Sequence, residues 1–316
     1  GILVSSFHKS EILISNSTFE KNRAESGYGA ALVLYQCTEC TLQINSSWFK
    51  SNKVDTFGGA VVIEQSSGSM TFLDSEFELN KADVDGGAVV IENSKGNMTF
   101  RNSRFKSNKA GIDGGAVSIW YSSGDMTFLD SLFKSNKAER GGAVEIWQSS
   151  GNITFLHSLF ESNKADVHGG AIEIWQSSGN MTFLLSEFKL NKAGNESGAV
   201  RFNETFGNVT FLDSLFNSNE AGNNGGAILA RDSGNFLFRN STFEENLANE
   251  GGGGGAFLVN CELTDVKHCT FDGNRATVGG GAAFKSSNAF LVSVTFDHNE
   301  ALAGGGVYFF GKSLDI

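Results

Sequence analysis

Proline is absent from this chain of 316 residues, where average usage would place about 16. That absence excludes Pro-rich linkers and collagen-like segments. No run approaches the roughly 18 consecutive apolar residues of a membrane-spanning helix, and no positively charged leader runs into an apolar core. Basic residues are the minority: 24 Lys and Arg stand against 35 Asp and Glu, a net charge of −11. A nucleic acid is therefore not an expected partner, because phosphate contacts need clustered cations. Cysteine is scarce, with four in all. No segment has convincing helical periodicity, and no cofactor fingerprint or metal-ligand spacing stands out.

Glycine (39) and phenylalanine (28) are plentiful, and both are phased. Phe-x-x-Asn recurs eleven times, at Phe19, Phe49, Phe77, Phe105, Phe133, Phe160, Phe188, Phe216, Phe243, Phe271 and Phe296, most often 28 residues apart. About nine residues after most of them comes Gly-Gly-Ala, as at Gly58, Gly86, Gly114, Gly141, Gly169, Gly225 and Gly280. The period fills residues 1–316, so a single repeat domain without a linker is expected.

Each period reads as three short strands. In the first, Ile172 and Ile174 alternate with Glu173 and Trp175, the period-2 pattern of a strand. Ser-Ser-Gly then makes a turn. In the second, Met181 and Phe183 alternate with Thr182. The third begins at Phe-x-x-Asn. Such a unit cannot bury its apolar face alone, and stacking solves this. The fold expected is all-β, a right-handed parallel β-helix of about eleven coils, its hand set by crossover chirality. At about 4.8 Å per coil it would be a rod on the order of 50 Å long. Two Phe columns then point inward, and the motif Asn residues form an amide ladder at a turn.

Gly170-Ala171-Ile172 paired with Phe188-Lys189-Leu190-Asn191 resembles the repeats of chlamydial polymorphic outer membrane proteins and of similar protist surface proteins. The resemblance implies a surface-exposed β-helix used in adhesion or as a stalk. The membrane-barrel segment those bacterial proteins carry at the C-terminus has no counterpart in this sequence.

Several features lie outside the scaffold. Asn-x-Ser/Thr occurs at Asn16, Asn45, Asn97, Asn152, Asn180, Asn195, Asn203, Asn208 and Asn240. Asn97, Asn152, Asn180 and Asn208 share one repeat phase and point outward, as N-glycan acceptors would. Trp120, Trp147 and Trp175 share another outward phase on adjacent coils, with Glu145 and Glu173 two residues before the last two. They read either as a contact face for a glycan or protein or as a self-stabilising surface ladder. Cys37 with Cys40, and Cys261 with Cys269, are expected as local disulfides in an oxidising compartment. The five His and the Asp83–Asp85 loop form no catalytic or calcium-binding pattern.

The function expected is an extracellular structural glycoprotein, a rigid rod in a filament, appendage or cell-surface stalk. It would contact copies of itself or a longer chain of which it is a segment. The alternative is an adhesin using the Trp face. A polysaccharide-active enzyme is third, since its clustered carboxylates and long loops are missing.

Overall fold

A computed structural model describes residues 1–25 and 27–316. The described chain winds into a parallel β-solenoid of about eleven coils. Two sheets contain 12 strands and a third contains 11, and each strand pairs with the equivalent strand of the next coil. One coil places Ile172–Trp175 in the first sheet, Met181–Leu184 in the second and Glu187–Lys189 in the third. Ile172 pairs with Val144 below and Val200 above. A fourth ladder of mostly two-residue strands, such as Lys192–Ala193, follows the motif Asn and splits into sheets of three and five strands. The stretch from Phe-x-x-Asn onward, expected as one strand, is thus two. The break falls at Leu190, whose φ is 57°.

Inward residues repeat coil after coil, so the core is a set of columns rather than a mixed interior. Phe160 and Phe188 stack with centroids 4.8 Å apart, and Phe155 and Phe183 stack at 5.2 Å. The two columns meet obliquely, Phe183 against Phe188 at 5.9 Å and 61°, within the range aromatic pairs favour. Full burial of each ring contributes roughly 1.5–3 kcal/mol.

The corners follow one recipe. Gln176, Leu185 and Leu190 take φ of 51°, 52° and 57°, a left-handed conformation costing a non-glycine residue roughly 1–2 kcal/mol. Each is followed by a buried polar residue, Ser177, Ser186 and Asn191. Asn191 Oδ1 accepts from the Asn163 backbone N–H and amide, both at 3.0 Å. Asn191 Nδ2 donates to Phe160 O at 2.9 Å and Asn219 Oδ1 at 3.0 Å. The serines run parallel ladders: Ser186 Oγ bonds the Phe155 and Leu184 carbonyls, both at 3.2 Å. Turn carbonyls and amides are thereby satisfied inside the rod. The fourth corner belongs to the glycine pair. Gly169 has φ of 63°, and a Cβ on Gly170 would run into the Gly198 carbonyl of the next coil.

Candidate functional site

Alternation along the first-sheet strands sends Ser118 and Trp120, Glu145 and Trp147, and Glu173 and Trp175 away from the core. A solvent-exposed face was expected there, and the structure covers it. The segments just before the glycine pairs turn back at Gly114, Gly141 and Gly169, with φ of 59°, 56° and 63°. They lay Asp85, Asp113, Arg140, His168 and Glu196 over the outer face. Glu145 is 4% exposed and Glu173 is 3%. Trp120 is buried, its ring edge-on to Phe57 at 5.3 Å. Trp147 and Trp175 are half-buried and stack at 6.1 Å, and their indole nitrogens are buried without a partner. An open three-Trp platform is therefore not what the fold provides.

Beneath the loops lies a charge network. Arg140 grips Asp113 with two bonds of 2.8 Å, Nε to Oδ1 and Nη2 to Oδ2. The Asp113 N–H donates to Asp85 Oδ1 at 2.8 Å. Glu145 Oε2 accepts from Ser118 Oγ at 2.8 Å and Trp120 Nε1 at 2.9 Å. Arg201 bonds Glu173 through Nη1 and Glu196 through Nε, the latter at 3.1 Å. Arg231 reaches the other Glu196 oxygen at 2.8 Å. Burial followed by repulsion from Asp113 pushes Asp85 up to about 7. Burial, only partly offset by Arg201, puts Glu173 at about 7 as well. Burial also raises Asp113, and raises Glu145 well above the usual carboxylate range with help from the Asp113 charge. Glu196 is the contrast: burial opposes its ionisation, but Arg201 and Arg231 outweigh it and hold its pKa low. His168 is driven down to about 4 by burial and then by the Arg201 charge.

Carboxyls that keep their protons near neutral pH have the acidity of general acids. Here they lie under the loops and are bonded to their neighbours, so a substrate would reach Glu145 or Glu173 only if a loop lifted. The arrangement ties loops to the sheet. The signal that could have revealed it was the residue preceding each glycine pair, where acids and bases follow each other at 27- or 28-residue intervals. Asp83 and Asp85, read together as one acidic loop, part company. Asp83 pairs with Lys81 at 2.6 Å in solvent, while Asp85 is buried.

The sequon asparagines fall into two groups. Asn97, Asn152, Asn180 and Asn208 are exposed and form a second, outer ladder that also uses Asp125. Asn152 Oδ1 accepts from the Asn180 N–H, and Asn180 Oδ1 from the Asn208 N–H, each at 3.0 Å. Asn97 Oδ1 accepts from the Asp125 N–H at 3.0 Å, and Asn208 Oδ1 from Asn235 Nδ2 at 3.1 Å. The ladder uses only Oδ1, and among the described residues none of the four Nδ2 atoms makes a hydrogen bond. Asn16, Asn195 and Asn240 are also exposed, whereas Asn45 and Asn203 are half-buried. Asn203 Nδ2 is 3.4 Å from Glu204 Oε1, and Asn240 Nδ2 donates to Asp213 at 3.1 Å.

Cys37 and Cys40 are joined, with Cα atoms 5.7 Å apart. The expected Cys261–Cys269 bond is corrected: both are free and buried. They sit at opposite ends of the extended strand Leu263–Lys267. Five residues at about 3.3 Å each separate them by roughly 17 Å, far beyond the reach of a disulfide. Each replaces a corner serine. Cys269 Sγ contacts the Lys267 carbonyl at 3.3 Å, as Ser186 Oγ contacts that of Leu184. The remaining histidines are peripheral. His298 Nδ1 lies 3.3 Å from Asp272 and 3.2 Å from Asp297, exposed, as an imidazole between two carboxylates.

Among the described residues no helix is long and apolar enough to cross a membrane. Two segments, residues 213–231 and 268–284, match the Chlamydia polymorphic membrane protein repeat. Each contains one Phe-x-x-Asn corner and the glycine run that follows it. No curated protein and no solved structure gives a significant match. The repeat family points to proteins of the outer membrane or cell surface. The chain is thus a β-solenoid carrying two segments similar to that repeat, set among coils that repeat the same corner chemistry throughout.

Proposed function

We propose that this chain serves as a rigid spacer at the cell surface, a structural β-helical rod carrying N-linked glycans and having no catalytic role. The observation that carries this reading is the unbroken series of ladders. Phe stacks, inward Asn and Ser columns and the buried charge network each join every coil they touch to its neighbours, which resists bending at any one coil. The outer Asn97, Asn152, Asn180 and Asn208 positions add to it. An amide nitrogen can be glycosylated while its Oδ1 stays in the ladder, and the sugars would shield one side of the rod. Head-to-tail contact with further β-helical coils, from the same protein or a longer chain, extends the rod.

Electron microscopy of the native material, with glycopeptide mass spectrometry, tests this. Continuous rods of constant width with sugars on Asn152, Asn180 and Asn208 are expected. Flexible particles that bend between coils would overturn the spacer. Unmodified asparagines in material from a glycosylating host would remove the glycoprotein part.

A further inference from the structure

Three of the four tryptophans lie under the first-sheet loops. The fourth, Trp48, is 58% exposed. It opens the third-sheet strand Trp48–Lys50, and the next residue fixes it. Phe49 is fully buried and stacks on Phe19 at 4.9 Å and Phe77 at 4.8 Å. The indole therefore stands on a rigid base. Register places Thr18 on one side of it and Glu76 then Arg104 on the other.

Trp48 is the shared wall of two clefts. One, of about 160 Å³, is lined by Lys50, Glu76 and Glu78. The other, of about 450 Å³, is lined by Ser46, Asp74, Glu76, Asn102 and Arg104. These polar groups are held in place: Lys50 pairs with Glu78 at 2.9 Å, Lys106 with Glu76 at 2.9 Å, and Asn102 donates to Asp74 at 2.6 Å. The Arg104 guanidinium has no ion pair or side-chain hydrogen bond among the described residues. Donors and acceptors thus border one exposed indole ring.

We propose that Trp48 is a saccharide-binding site, with one pyranose ring stacked on the indole and its hydroxyls directed into the two clefts. A pyranose offers an apolar C–H face and a rim of hydroxyls, each able to donate and accept. The indole matches the first. Acceptors on Asp74 and Glu76 and donors on Asn102, Arg104 and Lys50 match the second. A peptide anchor would call for a wholly apolar pocket, whereas both clefts mix apolar surface with charged and polar side chains. Three carboxylates (Asp74, Glu76, Glu78) face three cations (Lys50, Arg104 and the Glu76 partner Lys106), a balance that suits a neutral sugar better than a charged one. The sugar has two possible sources with the same chemistry: a glycan on another molecule, or the chain's own glycan on Asn45, whose sequon residue Ser46 lines the larger cleft. The inference is independent of the spacer reading, since a rod need not bind sugar.

The test uses the full chain made without glycans and titrated with neutral oligosaccharides ending in glucose, galactose, mannose or N-acetylglucosamine. Binding is followed by saturation-transfer NMR and calorimetry. At least one is expected to bind, Trp48→Ala to weaken it at least tenfold, and Trp175→Phe to leave it unchanged. Arg104→Ala, also at an exposed position, is expected to weaken it several-fold and provides a second variant if Trp48→Ala misfolds. Absence of binding across the panel, or equal binding by Trp48→Ala and the parent, overturns the proposal. The same titration on glycosylated protein separates the sources. Loss of binding that returns on enzymatic deglycosylation, and that Asn45→Gln prevents, identifies the chain's own glycan. Undiminished binding identifies an external one.

Discussion

Trp120 Nε1 donates to Glu145 Oε2 at 2.9 Å, bridging two adjacent coils on the covered face of the first sheet. Ser118 Oγ donates to the same oxygen. Removing the carboxyl leaves two buried donors unpartnered, each costing roughly 1–3 kcal/mol. Glu145→Ala is therefore expected to lower unfolding free energy by about 2–6 kcal/mol. Glu145→Gln, which keeps an acceptor and adds no charge, should change it by less than about 1 kcal/mol. Chemical denaturation of the two variants checks this; equal losses would show that the carboxylate charge, not the acceptor, holds the coils.

The same network sets a pH dependence. Asp85 and Glu173 titrate at about 7 in the fold, against about 4 for free carboxyls, and Asp113 and Glu145 are also raised. Their folded forms hold protons that the unfolded chain has released. Their contribution is complete below about pH 4 and is lost as pH rises through about 7. His168, lowered to about 4, works the other way: its contribution is present above about 6.5 and lost as pH falls through about 4. Glu196, held low by arginines, also loses its contribution in acid. Four raised acids outnumber the opposing groups between these limits, so the network's contribution should be greatest near pH 4 and fall toward pH 8. Thermal unfolding at stepped pH measures it, and Glu173→Gln should flatten the alkaline side. A midpoint that rises from pH 5 to 8 would contradict this account.

Repetition made the core legible. Phe188, Phe183 and Asn191 could be assigned because each position occurs in nearly every coil, and stacking converts a repeat position into a column. The covered face was not legible, because alternation tells which side of a strand Glu173 occupies but not what crosses above it. A single residue separates Asp83 from Asp85, yet one faces solvent and the other lies under the loop before the left-handed turn at Gly86. Cys261 and Cys269 are only eight positions apart, yet an extended strand uses that length as distance. Trp48 carries no repeat signal, because its column, with Thr18, Glu76 and Arg104 beside it, holds no second aromatic residue.

The two ways of making a corner predict opposite responses to glycine exchange. A Cβ on Gly170 would run into the Gly198 carbonyl and lie 2.8 Å from the Lys192 nitrogen, backbone atoms that the ladder prevents from moving. Gly170→Ala is expected to cost about 3 kcal/mol or more. Leu190 is a non-glycine residue at φ 57° with its side chain 57% exposed, so little packing is lost on removal. Leu190→Gly relieves the left-handed strain, offset by glycine's greater unfolded freedom, and should stabilise by up to about 1 kcal/mol. Paired denaturation curves decide; a stabilising Gly170→Ala would mean the coils are spaced more loosely than described.

Thiol chemistry provides the sharpest count. Burial pushes Cys261 up to about 12 and Cys269 up to about 11, and only the thiolate reacts. Both sulfurs also contact corner carbonyls, at 3.7 Å for Cys261 and 3.3 Å for Cys269, so neither is oriented to solvent. Cys37 and Cys40 are already joined. The native protein at pH 7 should therefore show almost no reaction with a disulfide reagent. In denaturant two thiols should react, and after reduction in denaturant all four. Cys269→Ser should be accepted with a loss of less than about 1.5 kcal/mol, because serine occupies the same corner in the preceding coils, as at Ser214 and Ser241. Two thiols reacting rapidly in the native state would show the corner around Cys261 and Cys269 to be open. None reacting in denaturant would restore the disulfide that the strand geometry rules out.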